Sequence, residues 1–218
     1  MIGYGMIRTI FWIVVTVLLI RFTFLGKKKL YIILTIIVSI VGLNTLSAQF
    51  PIENLFFSFK SPEAAFKYFQ DGRMAGNIVE VVEGKSSSMI VFSEDNDFIG
   101  RTFIAPITEK GYILPSWFSV NELPKESDAG ETYGPYWVLS TISNVVETND
   151  YYYYGFISAN KNVGDIFIYD YSNIGIKYII QDNESSNMVH IFFYGYVENL
   201  TSDFHFFIND EKVLLHDQ

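Results

Sequence analysis

The chain has no cysteine among its 218 residues. Disulfide bonds and thiolate metal sites are therefore excluded, and so is a lipoprotein anchor, which needs a cysteine after its hydrophobic segment. Secreted eukaryotic domains of this size usually carry disulfides, so the absence of cysteine favours a protein of a bacterial surface.

Acidic residues are missing from the first fifty positions, which carry five positive charges: Arg8, Arg21, Lys27, Lys28 and Lys29. Residues 51–218 hold all 24 Asp and Glu but only 10 of the 15 Lys and Arg, so the two parts carry +5 and −14. This asymmetry marks a boundary near residue 50. A part with a charge of −14 repels phosphates, which argues against nucleic acid as a partner and against binding to anionic headgroups.

Two apolar segments precede that boundary and predict a transmembrane helical hairpin over residues 1–50. Residues 30–50 are uncharged and long enough, at ~1.5 Å per residue, to cross a hydrocarbon core of ~30 Å. The earlier segment, about 4–25, crosses only if Arg8 and Arg21 extend their charged ends towards opposite interfaces. One alternative is that it lies in the membrane interface. Another is that Arg21 makes a functional contact inside a helix bundle.

Lys27, Lys28 and Lys29 directly precede the second segment, and positive residues of this kind stay cytoplasmic. We therefore expect a cell-membrane protein, in contact with the lipid bilayer, whose residues 51–218 lie outside the cytoplasm. A signal peptide cleaved after Ala48 is a competing interpretation. Leu46 is too large for the usual cleavage site, and the region before it is too long.

The outer region is predicted to be mainly β, in two lobes. Residues 51–120 begin with a helix over 62–70, because Ser61-Pro62-Glu63 has the residue types of a helix start. Strands follow over 77–83, 88–93, 98–107 and 112–114, and the short turns between them indicate an antiparallel meander. Residues 121–132 are polar and contain Pro and Gly, which predicts a linker or a long loop.

The second lobe, residues 133–218, consists of short apolar runs with strand character. They cover 136–148, 151–159, 165–169, 175–180, 188–198, 204–208 and 212–216. About seven strands of this length are typical of an immunoglobulin-like β-sandwich.

The stretch FPIENLFFSFKSPEAAFKYF, residues 50–69, and the turn Val82-Glu83-Gly84 resemble a pattern in uncharacterised membrane-anchored proteins of low-GC Gram-positive bacteria. In that pattern a membrane exit is followed by S-P-E-E-A-F and then by a strand that ends in V-x-E-G. Ala64 stands here where the pattern usually has a second Glu. The resemblance covers at most residues 50–115, and it implies a compartment and a cell type without an activity.

Metal binding and catalysis find little support in the sequence, and no cofactor is indicated. If strands 188–198 and 203–209 form a hairpin, His205 lies opposite Tyr196 and about six rungs from His190, too far for a shared metal. His216 supplies no such pair either. The segment around Asp95 and Asp97 only partly matches a calcium loop. No G-x-S-x-G or glycine-rich phosphate loop is present, so we do not expect an enzyme.

Aromatic residues are the unusual feature of the outer region. In a strand, Tyr151 and Tyr153 lie on one face and Tyr152 and Tyr154 on the other. Tyr194 and Tyr196 share a face of another strand. We expect one pair of the four tyrosines to be buried and the other to be exposed or covered by a partner, and exposed tyrosines suit protein or glycan binding. The alternative is that the abundance of aromatic residues reflects only their strand propensity, combined with an AT-rich codon bias.

These observations favour a membrane-anchored, non-enzymatic module outside the cytoplasm that binds an envelope protein or an envelope polymer. A subunit of a membrane complex, recognised through its transmembrane helices, is the first alternative, and Arg8 and Arg21 are the features that support it. An envelope hydrolase is the second, and it needs a cleft lined by two carboxylates or by a Ser/His pair.

Overall fold

The computed structural model describes residues 6–23, 33, 36, 37, 39, 42, 51–70, 76–94, 98–116, 119–122, 130–170, 176–182, 187–201 and 204–214. The helices with described bounds are α1 (Met6–Thr23) and α2 (Pro62–Gln70), with 3₁₀ helices at Ile52–Leu55 and Lys161–Val163. The strands are β1 (Asn77–Glu83), β2 (Ser87–Glu94), β3 (Phe98–Thr108), β4 (Gly111–Tyr112), β5 (Val120–Glu122), β6 (Glu131–Tyr133), β7 (Tyr136–Val145), β8 (Asp150–Asn160), β9 (Ile168–Asp170), β10 (Lys177–Asp182), β11 (Met188–Glu198), β12 (His205–Ile208) and β13 (Glu211–Leu214).

Helix α1 falls inside the first predicted membrane segment. The second segment, 30–50, lies largely outside the described residues, although residues 33, 36, 37, 39 and 42 are helical. In the part of the chain that the structure describes, no helix has both the length and the apolar character that a membrane crossing requires. The transmembrane hairpin stays a prediction.

Helix α2 has the predicted bounds, 62–70. It begins after Ser61, whose hydroxyl accepts a hydrogen bond from the Ala64 N–H at 3.2 Å, as an N-cap residue does. Phe66 is buried against Phe92 and Phe103 of the neighbouring sheet. Tyr68 is buried on another side of the helix, against Phe57 and Phe59. Asp71 and Gly72, whose residue types favour the end of a helix, lie outside the described residues.

The first sheet is a four-stranded antiparallel meander in the order β1-β2-β3-β4, as the turn pattern predicts. β1 has the predicted bounds, whereas β2 begins one residue early and β4 contains only two residues. Phe92 and Phe103 pack against α2, and Met89 and Val91 face the other way. Both faces of this sheet are therefore covered.

The second sheet has six strands in the order β10-β11-β8-β7-β5, with β6 also paired to β7, and the third has the order β13-β12-β9. All the described strand pairs in both sheets are antiparallel. The prediction of a mainly-β, sandwich-like outer region is confirmed. The finer likeness to an immunoglobulin sandwich stays a prediction.

Strands 188–198 and 203–209 do not form the hairpin on which the comparison of His190 and His205 depended. β11 pairs with β8 along one edge and with β10 along the other, so it offers no edge to β12. β12 lies instead in the third sheet between β13 and β9. His205 therefore faces Leu214 in the strand register, and Tyr196 faces Tyr152.

The elements form four layers: α2, the first sheet, the second sheet and the third sheet. One cluster joins the first and second sheets through Met89, Ile104, Tyr152 and Phe192. A second joins the second and third sheets through residues such as Phe193 and Phe206, whose rings lie 4.9 Å apart. The two predicted lobes share a hydrophobic core.

The predicted linker, 121–132, begins and ends inside strands of the second sheet. Asn121 and Glu122 belong to β5, and residues 131–132 belong to β6. Both strands pair with β7. Residues 123–129 lie outside the described residues.

Two glycines of the second sheet face aromatic residues across β8 and β11. Gly155 lies opposite Phe193, and Gly195 lies opposite Tyr153. A Cβ on Gly195 would lie 2.1 Å from the Tyr153 hydroxyl oxygen, and a Cβ on Gly155 would lie 2.1 Å from the backbone oxygen of Leu139. Each glycine therefore leaves a space that a neighbouring group fills.

Replacing Phe192 with alanine is expected to lower the free energy of unfolding by about 3–5 kcal/mol. The Phe192 side chain is 0% exposed, and its ring lies 5.1 Å from that of Phe156 and 5.7 Å from that of Tyr194. The control is Phe167→Ala, which removes a ring that is 62% exposed and should cost about 0.5 kcal/mol or less. Equal losses in denaturant titrations of the two variants would contradict burial of Phe192 between the sheets.

Candidate functional site

The structure brings the predicted tyrosine cluster together but buries it. Tyr152 and Tyr153 are buried on opposite faces of β8, and Tyr151 and Tyr154 are half-buried. The expectation that one of these pairs is exposed is wrong, because the first and third sheets cover the two faces of β8.

Tyr194 and Tyr196 lie on the same face of β11, as the strand period predicts, and both pack into the cluster below the first sheet. Tyr194 is buried, and its hydroxyl donates to Glu80 of β1 at 2.5 Å. Glu80 also pairs with Lys177. Burial opposes ionisation of Glu80, but hydrogen bonds from Lys177 and Tyr194 hold its pKa below the ordinary value. These tyrosines therefore join two sheets of the same chain.

The carboxylate of Asp150, at the start of β8, is 1% exposed and organises the turn between β1 and β2. It accepts hydrogen bonds from the Ser86 N–H at 2.6 Å, the Ser87 hydroxyl at 2.7 Å and the Tyr196 hydroxyl at 2.9 Å. The longest bond, 3.3 Å, comes from the Lys85 N–H. Four donors from two sheets satisfy this buried charge.

Asp150 and Ser87 are residue types that occur in catalytic pairs, but a substrate has no access to them here. Ser87 is fully buried, and its hydroxyl also lies 2.9 Å from that of Tyr152. A substrate cannot reach the oxygen without opening the sandwich. Sequence reasoning missed this network because its two halves lie more than sixty residues apart.

Burial raises the pKa of the enclosed tyrosines, because the phenolate would lose its hydration. The pKa of Tyr153 is raised to about 12, with Asp170 adding to the effect of burial. That of Tyr196 is also raised to about 12, through burial and then the hydrogen bond to Asp150. The pKa values of Tyr152 and Tyr194 lie higher still, for the same leading reason.

The histidines occupy separate places. His190 faces Ser158 across β11 and β8, with 2.8 Å between its Nδ1 and the serine hydroxyl oxygen. His205 belongs to β12 in the third sheet, where its ring lies 5.3 Å from that of Phe207. His216 and the acidic turn at residues 95–97 lie outside the described residues. Among the residues that are described, no three His, Asp or Glu side chains are close enough to hold a metal ion.

A cleft of about 980 Å³ opens at the edge between the first and second sheets. β3 forms one wall, and β5 with the adjoining ends of β7 and β8 forms the other. We call this the edge cleft. Its lining includes Phe69, Phe103 and Val120 as apolar groups and Arg101 and Glu122 as charged groups. Mostly apolar walls with a few polar groups are typical of binding sites of this size.

Hydroxyl groups contribute to the polar part of the edge cleft, beside the charged groups. Tyr154 lies 3.1 Å from the hydroxyl oxygen of Ser143 and is also hydrogen-bonded by Thr102. Burial raises the pKa of Tyr154, although these two hydrogen bonds act against the shift. The group is therefore a neutral phenol at physiological pH, able to donate and accept hydrogen bonds.

A second polar contact lies between α1 and the 3₁₀ helix Ile52–Leu55. The Arg8 Nε donates to both carboxylate oxygens of Glu53, at 2.7 and 2.9 Å. Glu53 is 0% exposed and Arg8 is 8% exposed. Beside this pair, the rings of Phe11 and Phe56 meet edge to face at 6.2 Å. Arg21, predicted to make an intramembrane contact, is exposed at the other end of α1.

Comparison with protein-family models, with curated proteins and with solved structures found no match to this chain.

The free energy of unfolding is expected to fall as the pH rises from about 10 towards about 12. The unfolded chain releases a tyrosine proton near pH 10, whereas the pKa of Tyr153 in the folded state is about 12. The stabilisation that the raised pKa of Tyr153 provides is complete below pH 10. Between about pH 10 and about pH 12 it is lost, at about 1.4 kcal/mol per pH unit for one group. In alkaline denaturant titrations, Tyr153→Phe should reduce the loss relative to the natural chain. Identical pH profiles for this variant and the natural chain would contradict this assignment.

Proposed function

We propose that this protein is a membrane-anchored binding module outside the cytoplasm, non-enzymatic, whose partner occupies the edge cleft. The observation that carries the proposal is the edge cleft itself. It combines aromatic walls, hydroxyl groups and one charge of each sign in a volume large enough for a ligand. Tyr152, Tyr153 and Tyr194 are buried between sheets, whereas Tyr154 lines the cleft. We therefore assign the partner to the cleft and not to the other tyrosines.

The Arg8–Glu53 pair supports the membrane anchor. In the predicted hairpin, Arg8 is near the outer end of the first segment and Glu53 follows the outer end of the second. The two ends therefore meet on one side of the bilayer. If the first segment lay on the cytoplasmic side, a hydrocarbon core of ~30 Å would separate the two charges. The contact favours a hairpin with both termini outside the cytoplasm.

A binding role is favoured over the alternative of an envelope hydrolase by the residues that line the edge cleft. Glycoside hydrolysis typically uses two carboxyl groups on either side of the scissile bond. Among the described lining residues, Glu122 is the one carboxylate. The buried Asp150–Ser87 pair does not open into the cleft.

One specific observation supports the alternative that the protein is a subunit of a membrane complex. Ile10, Ile13, Val14 and Val17 are exposed on one side of α1, and Arg21 is exposed as well. An arginine beside an apolar helix face suits an acidic residue on another membrane helix. Arg8 does not support the membrane-complex alternative, because its side chain is paired with Glu53.

The anchor is tested with single cysteines, since the chain has none of its own. In intact cells, Ile2→Cys should react with a membrane-impermeant maleimide, because the hairpin places the N-terminus outside. Lys28→Cys, in the predicted cytoplasmic turn, should react only after permeabilisation. Labelling of the Ile2→Cys variant only in permeabilised cells would show that the first segment does not cross.

The edge cleft is tested with a photo-crosslinking amino acid in the full-length protein in native membranes. At Asn121, an exposed residue of the cleft wall, irradiation should give a discrete adduct. At Lys212, an exposed residue of β13 in the third sheet, it should not. Adducts at neither position, or equal adducts at both, would remove the support for a partner in the cleft.

A further inference from the structure

One wall of the edge cleft is a strand edge without a neighbour in the described part of the chain. β3 pairs with β2 along its length, but it pairs with β4 only at Ile107 and Thr108. Along 98–105 the side of β3 away from β2 therefore has no partner strand among the described residues. Gly100, Thr102 and Ile104 of this stretch line the edge cleft.

The ladder shows which backbone groups point into the cleft. The Ile107 N–H donates to the Ser86 carbonyl of the β2 side at 2.8 Å, whereas the Pro106 carbonyl accepts from the Ile113 N–H on the other side at 2.9 Å. Successive residues of an antiparallel strand point their N–H and C=O groups to opposite sides. Thr102 and Ile104 therefore direct theirs, like Pro106, towards the cleft.

Proline and a side-chain amide explain why β4 does not cover this edge. If the register of β3 and β4 continued, Pro115 would lie opposite Ile104, and proline has no N–H to donate. At the residue before it, the Leu114 N–H donates to the Asn54 side chain, and the Leu114 carbonyl accepts from it, both at 2.9 Å. Leu114 is thus held away from the β3–β4 ladder, just before the position where the unpaired edge of β3 begins.

We propose that the edge cleft takes an extended segment of a partner polypeptide, which pairs with β3 as an added strand of the first sheet. This inference rests on the proposed function and names the class of its partner. Alternating N–H and C=O groups along an edge match the main chain of another strand, whereas a sugar polymer has no such repeat. Phe69 and Phe103 offer an apolar surface to a side chain of the segment.

The net charge of residues 51–218 determines the sign of the net charge that the partner segment carries. Residues 51–218 carry −14, and the field of such a surface attracts cations and repels anions. Arg101 and Glu122 in the lining balance each other, so the preference comes from the region as a whole. The partner segment is basic.

The test compares Thr102→Pro with Thr102→Val in the detergent-solubilised full-length protein. Both changes remove the hydroxyl that contacts Tyr154, but only proline also removes the N–H that points into the cleft. The probe is a displayed library of random peptides of about ten residues, the upper range of a strand. Basic peptides selected on the natural chain should bind Thr102→Pro about tenfold more weakly than Thr102→Val, as the loss of a main-chain hydrogen bond predicts.

Hydrogen exchange on the natural chain gives a second readout that does not depend on the folding of Thr102→Pro. A bound peptide should slow amide exchange at Thr102 and Ile104. It should leave Arg101 and Phe103 unchanged, because their N–H groups already face β2. Peptides that bind both variants equally, or that protect neither Thr102 nor Ile104, would overturn the proposal.

The failure of this inference can be distinguished from the failure of the proposed function. If the library yields no binder but the adduct at Asn121 persists in native membranes, the cleft has a partner that is not a strand. An envelope glycan is then the occupant, and strand addition is overturned. If the adduct is also missing, the proposed function falls with it.

Discussion

The second sheet is buried on both faces, and the positions of the other layers follow from it. Its central strands, β8 and β11, carry large side chains on each side, so each face needs a cover. The first sheet provides one cover and the third sheet the other. Tyrosine suits this arrangement because its ring fills the space between sheets while its hydroxyl finds a polar partner near the rim. Tyr194 with Glu80 and Tyr196 with Asp150 are two examples.

The charged groups of the interior are placed where segments distant in sequence meet. Asp150 ties the turn between β1 and β2 to the start of β8. Glu53 ties the beginning of the outer region to α1. Removing one partner from such a buried pair leaves a charge without compensation, which costs about 3–5 kcal/mol. These contacts therefore determine how segments dock, while the apolar clusters supply the bulk of the stability.

The sequence predicts local features well, because short-range physical rules determine them. The capping serine before α2 and the turn residues around β1 and β11 were enough to fix the bounds of those elements. Strand partners were harder, since β10, β11 and β12 have similar apolar patterns. A short connection between β11 and β12 suggested a hairpin, although both edges of β11 are occupied. The edge cleft was not predictable at all, because its walls come from strands whose pairing the pattern leaves open.

Glycines face aromatic residues across β8 and β11, and this arrangement affects the register in which the two strands pair. In a sheet with one wet face, a slip of one residue would move apolar side chains into water, and this penalty fixes the register. Here both faces are dry, so the penalty is largely absent. Gly155 opposite Phe193 and Gly195 opposite Tyr153 constrain the register sterically in its place. A slip of two residues in one direction would set the two glycines opposite each other and leave a void, and a slip of two residues in the other direction would set Phe193 against Tyr153. Shape complementarity, more than polarity, therefore selects the correct alignment of the two central strands.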